Sequence, residues 1–141
     1  NMADYWGHWL TIGEATDADK LPRIFQVNWF RKSPDGDFLW PGFGENSRVL
    51  DWVIRRLEGT AAARETPIGR LPADGEINVE GLGLTDDQLA ELFSVEPKPW
   101  LDEAELTGQY FARFGSHVPA ELHDQLEALK SRLRAAADAP A

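Results

Sequence analysis

The sequence contains no cysteine. That removes disulfides, thiolate nucleophiles and cysteine-ligated zinc together, and it suits a reducing compartment. It also lacks any apolar run near the roughly 20 residues that a helix needs to cross a bilayer. The first ten residues, NMADYWGHWL, carry no basic stretch ahead of an apolar one, so no secretory leader is read there and a soluble protein with no membrane partner is expected. Positive charge is scarce. Against 24 Asp and Glu stand 14 Lys and Arg, a formal charge of −10, which repels a phosphate backbone and argues against nucleic acid as a partner. A single phosphorylated small molecule needs only a local field and stays open. Reaction motifs are missing too: there is no GxxxxGK[ST] phosphate loop, no GxGxxG, no HExxH, no GxSxG elbow and no EF-hand loop. His8, His117 and His123 are too scattered to propose as a metal site, and no repeat of 20 to 50 residues is found.

Hydrophobic residues at 43% and charged residues at 27% are ordinary for a globular protein. A chain of 141 residues closes one core or forms part of a larger domain. Its densest chemical signal is residues 28–46, NWFRKSPDGDFLWPGFGEN. Trp29, Phe30, Phe38, Trp40 and Phe43 supply flat apolar faces there, and Gly42 and Gly44 on either side of Phe43 free the backbone to take positive φ and approach a ligand.

In chain order, Tyr5, Trp6, Trp9, Leu10 and Gly13 follow helical spacing, so an amphipathic helix begins near residue 1. His8 sits among these rings and reads as structural or surface. A polar linker over 14–22 ends at Pro22. Residues 24–30 are rich in β-branched and aromatic side chains and predict a buried strand. The run Lys32-Ser33-Pro34-Asp35-Gly36-Asp37 predicts a tight turn, with Phe38-Leu39-Trp40 returning as the second strand of a hairpin. Asn46 or Ser47 is expected to cap a helix whose stripe is Val49, Leu50, Val53 and Leu57, stopped by Gly59. Its amino-terminal N–H groups and dipole would then face whatever lies over Phe43. Residues 60–83 read as loop, with Ile77-Asn78-Val79 as a candidate edge strand. Thr85 and Gln88 form a capping box for a helix carrying Leu89, Leu92 and Phe93. A further helix is expected over 99–114, with Trp100, Ala104, Phe111 and Phe114 inward and Asp102, Glu103 and Glu105 on a solvated face. Pro119 suits the first position of a last helix whose seam is Leu122, Leu126, Leu129 and Leu133, and the tail from Ala135 should fray.

One constellation points to binding. A purine offers two faces that stack on aromatic rings and an edge of donors and acceptors that an amide can read. Phe30, Phe38 and Phe43 can supply the faces; Asn46 and the amides beside Gly42 and Gly44 can supply the edge. Composition alone allows the plainer account that all three Phe are core residues, with the glycines and Asn46 serving an ordinary turn into a helix.

The segments LPRIFQVNWFR and FLWPGFGENSRVL, within residues 21–50, closely resemble the guanine-binding region near the carboxyl end of the GTP-dependent phosphoenolpyruvate carboxykinases. The resemblance takes in residues 1–10, DWVIRRLEG at 51–59, Thr66-Pro67-Ile68-Gly69 and Gly81-Leu82-Gly83. It is strongest over 21–59 and fades into the last two helices. The turn SPDGD departs from the family pattern, as an exposed hairpin tip can. What the resemblance implies is the conversion of oxaloacetate and GTP to phosphoenolpyruvate, CO2 and GDP, with Mn2+ at the active site and a second divalent metal on the nucleotide. It also implies that Phe30, Phe38 and Phe43 line the guanine pocket, that Asn46 bonds the base edge, and that Trp29 and Trp40 support the pocket. The family's phosphate loop, metal ligands, substrate arginines and lid have no matching motif here, so the chain is expected to be an inactive carboxyl-terminal segment whose native start precedes Asn1, completed by the upstream part of the same polypeptide. The expected fold is α+β: a helix, a small β hairpin and loop strands, then several helices, being the carboxyl-terminal part of the nucleotide-binding lobe of a larger α/β enzyme. Within it the guanine pocket occupies 28–46 and the carboxyl-terminal helices 85–138. A cytoplasmic monomer is implied. Two other readings stay open: a free-standing aromatic groove for a proline-rich peptide or sugar, supported by six Trp and the Pro41 turn, and a purely structural cap.

Overall fold

The computed structural model describes residues 1–139; Pro140 and Ala141, the end of the tail expected to fray, lie outside the described residues. The chain folds as two compact units, one formed by residues 1–22 with those from 96 onward, the other by residues 23–95. Residues 28–46 therefore fall entirely in the second unit, and the helices of 85–138 are divided between the two.

The first unit is helical. Helix α1 (Met2–Glu14) starts where the Asn1 side chain accepts from the Ala3 amide at 3.0 Å, which satisfies one of the donors a helix start leaves free. Its Trp6 ring meets Phe111 at 5.5 Å and Phe114 at 5.1 Å, edge-on or tilted as ring quadrupoles favour. Tyr5 and Trp9, expected on the same inward stripe, are instead 61% and 56% exposed. The reason is angular: the aromatic stripe of α1 is wider than the surface that covers it, and Ala3, Trp6 and Leu10 take the inner positions.

Helix α4 (Pro97–Ala112) begins two residues before the expected start, because its prolines fit the first turn, where no amide donor is required. Ala104 is buried as expected, whereas Trp100 is exposed. Asp102 pairs with Lys98 at 3.0 Å and Glu105 with Lys130 at 3.1 Å. In helix α5 (Ala120–Ala137) Pro119 is the capping residue rather than the first helical one, and the helix continues through Ala135, where fraying was expected. The leucine seam is present: Leu126 and Leu133 are buried, Leu122 and Leu129 half-buried. Lys130 is buried on the same helix, and the carboxylates of Glu105 and Glu127 hold its ammonium above the ordinary lysine range.

The second unit builds its core on two tryptophans. Trp40, Trp52, Ala61 and Ile77 are buried together, with Trp29, Val49, Val53, Leu92 and Phe93 packed around them. Residues 24–30 form no strand; 24–28 are exposed, Ile24 at 92%, and the chain turns at Trp29 and Phe30, with Trp29 half-buried. A strand needs a ladder partner for its amides, and pairing in the hairpin is confined to the Lys32–Phe38 bridge, made by the Ser33 amide donating to the Asp37 carbonyl at 2.8 Å and the Leu39 amide donating to the Arg31 carbonyl at 2.9 Å. The turn itself forms as read, with Gly36 at φ 91°.

The two-stranded sheet lies where a loop was expected. Strand β1 (Ala63–Thr66) pairs antiparallel with β2 (Gly69–Pro72), register Arg64 to Leu71 and Glu65 to Arg70, through a two-residue turn of Pro67 and Ile68. Pro67 in the turn and Gly69 just after it disguised the hairpin as loop, and neither strand alternates strongly enough to be read from four residues. Ile77-Asn78-Val79 is not a strand. Ile77 is drawn into the core because Arg55 of helix α2 (Asn46–Leu57) holds the preceding Glu76, through its carboxylate at 3.0 Å and its carbonyl at 2.6 Å. Helix α2 turns Trp52 inward with Val49 and Val53; Leu50, Ile54 and Leu57 form a second apolar stripe that is exposed. The expected stripe mixed residues from these two faces. Gly59, at φ 77°, ends the helix as read. Helix α3 (Asp86–Leu92) begins on the expected capping box, Thr85 with Gln88.

Candidate functional site

The site is built on three local devices. At Asn28 the side-chain oxygen accepts from the Phe30 amide at 2.9 Å, a self-bonded Asx turn that the pair Asn28-x-Phe30 offers. The chain turns there and carries Phe30 to the surface. The hairpin then brings Phe38 back beside it, ring centroids 6.1 Å apart at 63°, with the Lys32 ammonium 5.0 Å from the Phe38 ring centre, within reach of a cation–π attraction. Arg31 fixes the base of the hairpin to the end of α3, donating to the Ser94 carbonyl at 2.8 Å and to Ser94 Oγ at 2.5 Å.

The third device is the corner at Gly42. Its φ of 92° and ψ of −151° lie in a region essentially closed to residues with a Cβ. The corner sends Phe43 outward, where it is 97% exposed. Gly44 does not share this conformation: Phe43–Glu45 is a turn of 3-10 helix that runs straight into α2. Phe30 and Phe38 are 72% and 57% exposed. None of the three phenylalanines is therefore a core residue of this chain. An Asx turn, a hairpin and a glycine corner thus hold three large rings out of this chain's core, at its surface.

Asn46 differs from expectation in one respect. It is the first residue of α2 rather than its cap, and neither it nor Glu45 makes a side-chain capping bond. Its amide oxygen instead accepts from the indole N–H of Trp40 at 2.9 Å. Ser47 turns back to donate to the Gly44 carbonyl at 3.1 Å. Trp40 is buried and Trp29 half-buried against the same core, so both belong to the core and not to the exposed rings. Sequence reading placed Trp40 near the site but gave its N–H no partner; an indole six residues before an asparagine, across a glycine corner, is the signal that was there.

Among the described residues no three His, Asp or Glu come together as metal ligands. His117 pairs with Asp4 at 3.2 Å and His123 lies edge-on to Phe111. An open depression in the first unit is lined by Asn1, Asp4, Tyr5 and His8; the three phenylalanines take no part in it.

Fold and site thus define an α+β chain with exposed aromatic rings and an asparagine amide bonded to a buried indole. Residues 1–132 match the phosphoenolpyruvate carboxykinase C-terminal P-loop domain, and the chain belongs to that family. It is 50% identical over 137 residues to phosphoenolpyruvate carboxykinase [GTP] of Neocallimastix frontalis, covering 96% of this chain and 22% of that protein. The protein of the same name from Renibacterium salmoninarum is 48% identical over 133 residues, 94% of this chain and 22% of the relative. That of Treponema pallidum is 44% identical over 134 residues, with the same two shares. The chain therefore spans about a fifth of the length of these curated relatives. The GxxxxGK[ST] run that would form a phosphate loop is absent from its sequence.

Proposed function

We propose that this chain is the carboxyl-terminal part of a GTP-dependent phosphoenolpyruvate carboxykinase, which converts oxaloacetate and GTP to phosphoenolpyruvate, CO2 and GDP, and that it contributes the guanine pocket. The observation that carries the reading is the exposure of Phe30 and Phe38, paired across the hairpin, and of Phe43 just after the Gly42 corner. Rings that do not fill a core are free to stack on a base, at about 1–3 kcal/mol per base. Asn46 reads the base edge, Trp29 backs the pocket, and the relatives' shared name supports GTP as the nucleotide. The rest of the polypeptide supplies the bond-making groups, and the segment alone is inactive. A cytoplasmic monomer is part of the same proposal.

Phosphoryl transfer relies on metal ions and positive charge at the transferring group. Mn2+ and a nucleotide-bound divalent metal belong to the proposed reaction, but the described residues of this chain offer no cluster that fits a metal. What this chain does is hold and select the nucleotide.

Asn46→Ala in the complete enzyme tests the reading. Losing a hydrogen bond that leaves its partner unpaired costs about 1–3 kcal/mol, so the KM for GTP should rise about fivefold or more while that for oxaloacetate changes little. Equal losses for the two substrates contradict the assignment.

A further inference from the structure

Building on the guanine-pocket reading, we propose that Trp40 is the positioning residue that makes Asn46 selective, by fixing which end of its amide meets the base. A primary amide has a donor end and an acceptor end of nearly the same shape, exchanged by a half-turn of the terminal bond. Guanine presents the acceptor O6 beside the donor N1–H. Adenine presents the donor N6 amino group beside the acceptor N1, the reverse order. An amide free to turn matches both bases with two hydrogen bonds each and discriminates between neither.

The indole removes that freedom. Its nitrogen only donates, and it lies 2.9 Å from Asn46 Oδ1. Turning the amide would set its NH2 group against the indole N–H, leaving two donors face to face and the buried one unsatisfied. The indole cannot swing aside to accommodate this, because Trp40 is 4% exposed and packed among Trp52, Ala61 and Ile77. Asn46 is held at its backbone as the first residue of α2. The amide therefore keeps one order of donor and acceptor, with its NH2 group and the second lone pair of Oδ1 left for the base, and one order suits one purine.

The test uses the complete carboxykinase containing this chain and reads the ratio of kcat/KM with GTP to kcat/KM with ATP. Trp40→Phe keeps an aromatic ring and deletes the N–H. It should lower the ratio about fivefold or more, with ATP use rising as GTP use falls. In an Asn46→Ala background the same change should leave the ratio where Asn46→Ala put it, because Trp40 acts through that amide. A ratio that stays at the parent value in Trp40→Phe while Asn46→Ala lowers it overturns the proposal and leaves the guanine pocket standing. So does an equal drop in both backgrounds, the mark of a packing effect. A parent-like ratio in Asn46→Ala itself overturns the pocket and this inference together. Should Trp40→Phe fail to fold, the indole N–H of Trp40 can be followed by 15N NMR: it should exchange slowly with solvent in the parent and faster in Asn46→Ala, and equal exchange overturns the proposal.

Discussion

Replacing Phe43 by alanine separates a binding role from a packing role, because the two predict opposite outcomes. A core phenylalanine lost to alanine typically costs about 3–5 kcal/mol of stability. Phe43 is 97% exposed, so almost none of its ring is withdrawn from water by this chain, and at a surface position the change should stay within about 0.5 kcal/mol. A ring that stacks on guanine contributes about 1–3 kcal/mol to binding, which corresponds to a rise of about fivefold to 140-fold in the dissociation constant for GTP. The assay is titration of the complete enzyme with GDP and GTP, alongside urea unfolding of the same preparation. Weaker nucleotide binding with an unchanged unfolding midpoint is the expected result. A lowered midpoint with unchanged nucleotide affinity would refute the reasoning, since Phe43 would then be packed against another part of the polypeptide and not against the base.

Gly42→Ala should cost about 1–3 kcal/mol, the strain of a Cβ at φ 92° and ψ −151°. Nothing lies within 4 Å of the added carbon, so the penalty is conformational rather than steric crowding. Urea unfolding measures it, and a neutral substitution would mean that the corner has another conformation. Glu76→Gln should lower stability at pH 7 in a pH-dependent way. A hydrogen bond from the Ala62 amide, and then the Arg55 guanidinium, hold the Glu76 carboxyl below its ordinary 4.5. Its contribution is therefore complete above that value and is lost as the pH falls through the lower folded one. Unfolding midpoints of parent and variant should differ at pH 7 and converge in acid; a constant gap down to pH 3 would contradict this.

Some features could be read from residues near one another in sequence. The capping box of Thr85 and Gln88, the leucine seam of α5, the Gly36 turn and the Gly59 stop depend on interactions within a few residues, and each appears where the pattern put it. The exposed stripe of α2 was hidden for the opposite reason: Leu50 and Trp52 are equally apolar, and only the core assembled around Trp40, Ala61 and Ile77 selects between them. The sheet eluded sequence reading because four-residue strands carry too little pattern. The strand expected at 24–30 had the pattern but no partner among the described residues.

By itself the sequence determined the family, the aromatic run and the turn chemistry that shapes it, because those are properties of residue identity and short-range backbone preference. Whether the phenylalanines would fill a core or stand in solvent, and which of two equivalent orientations the Asn46 amide would take, was decided only when Trp40 was buried. Core membership depends on contacts with groups farther along the chain, Trp52, Ala61 and Ile77 around Trp40, and no local pattern chooses among rings that are all apolar; the Asn46 amide then takes the orientation that the buried indole allows.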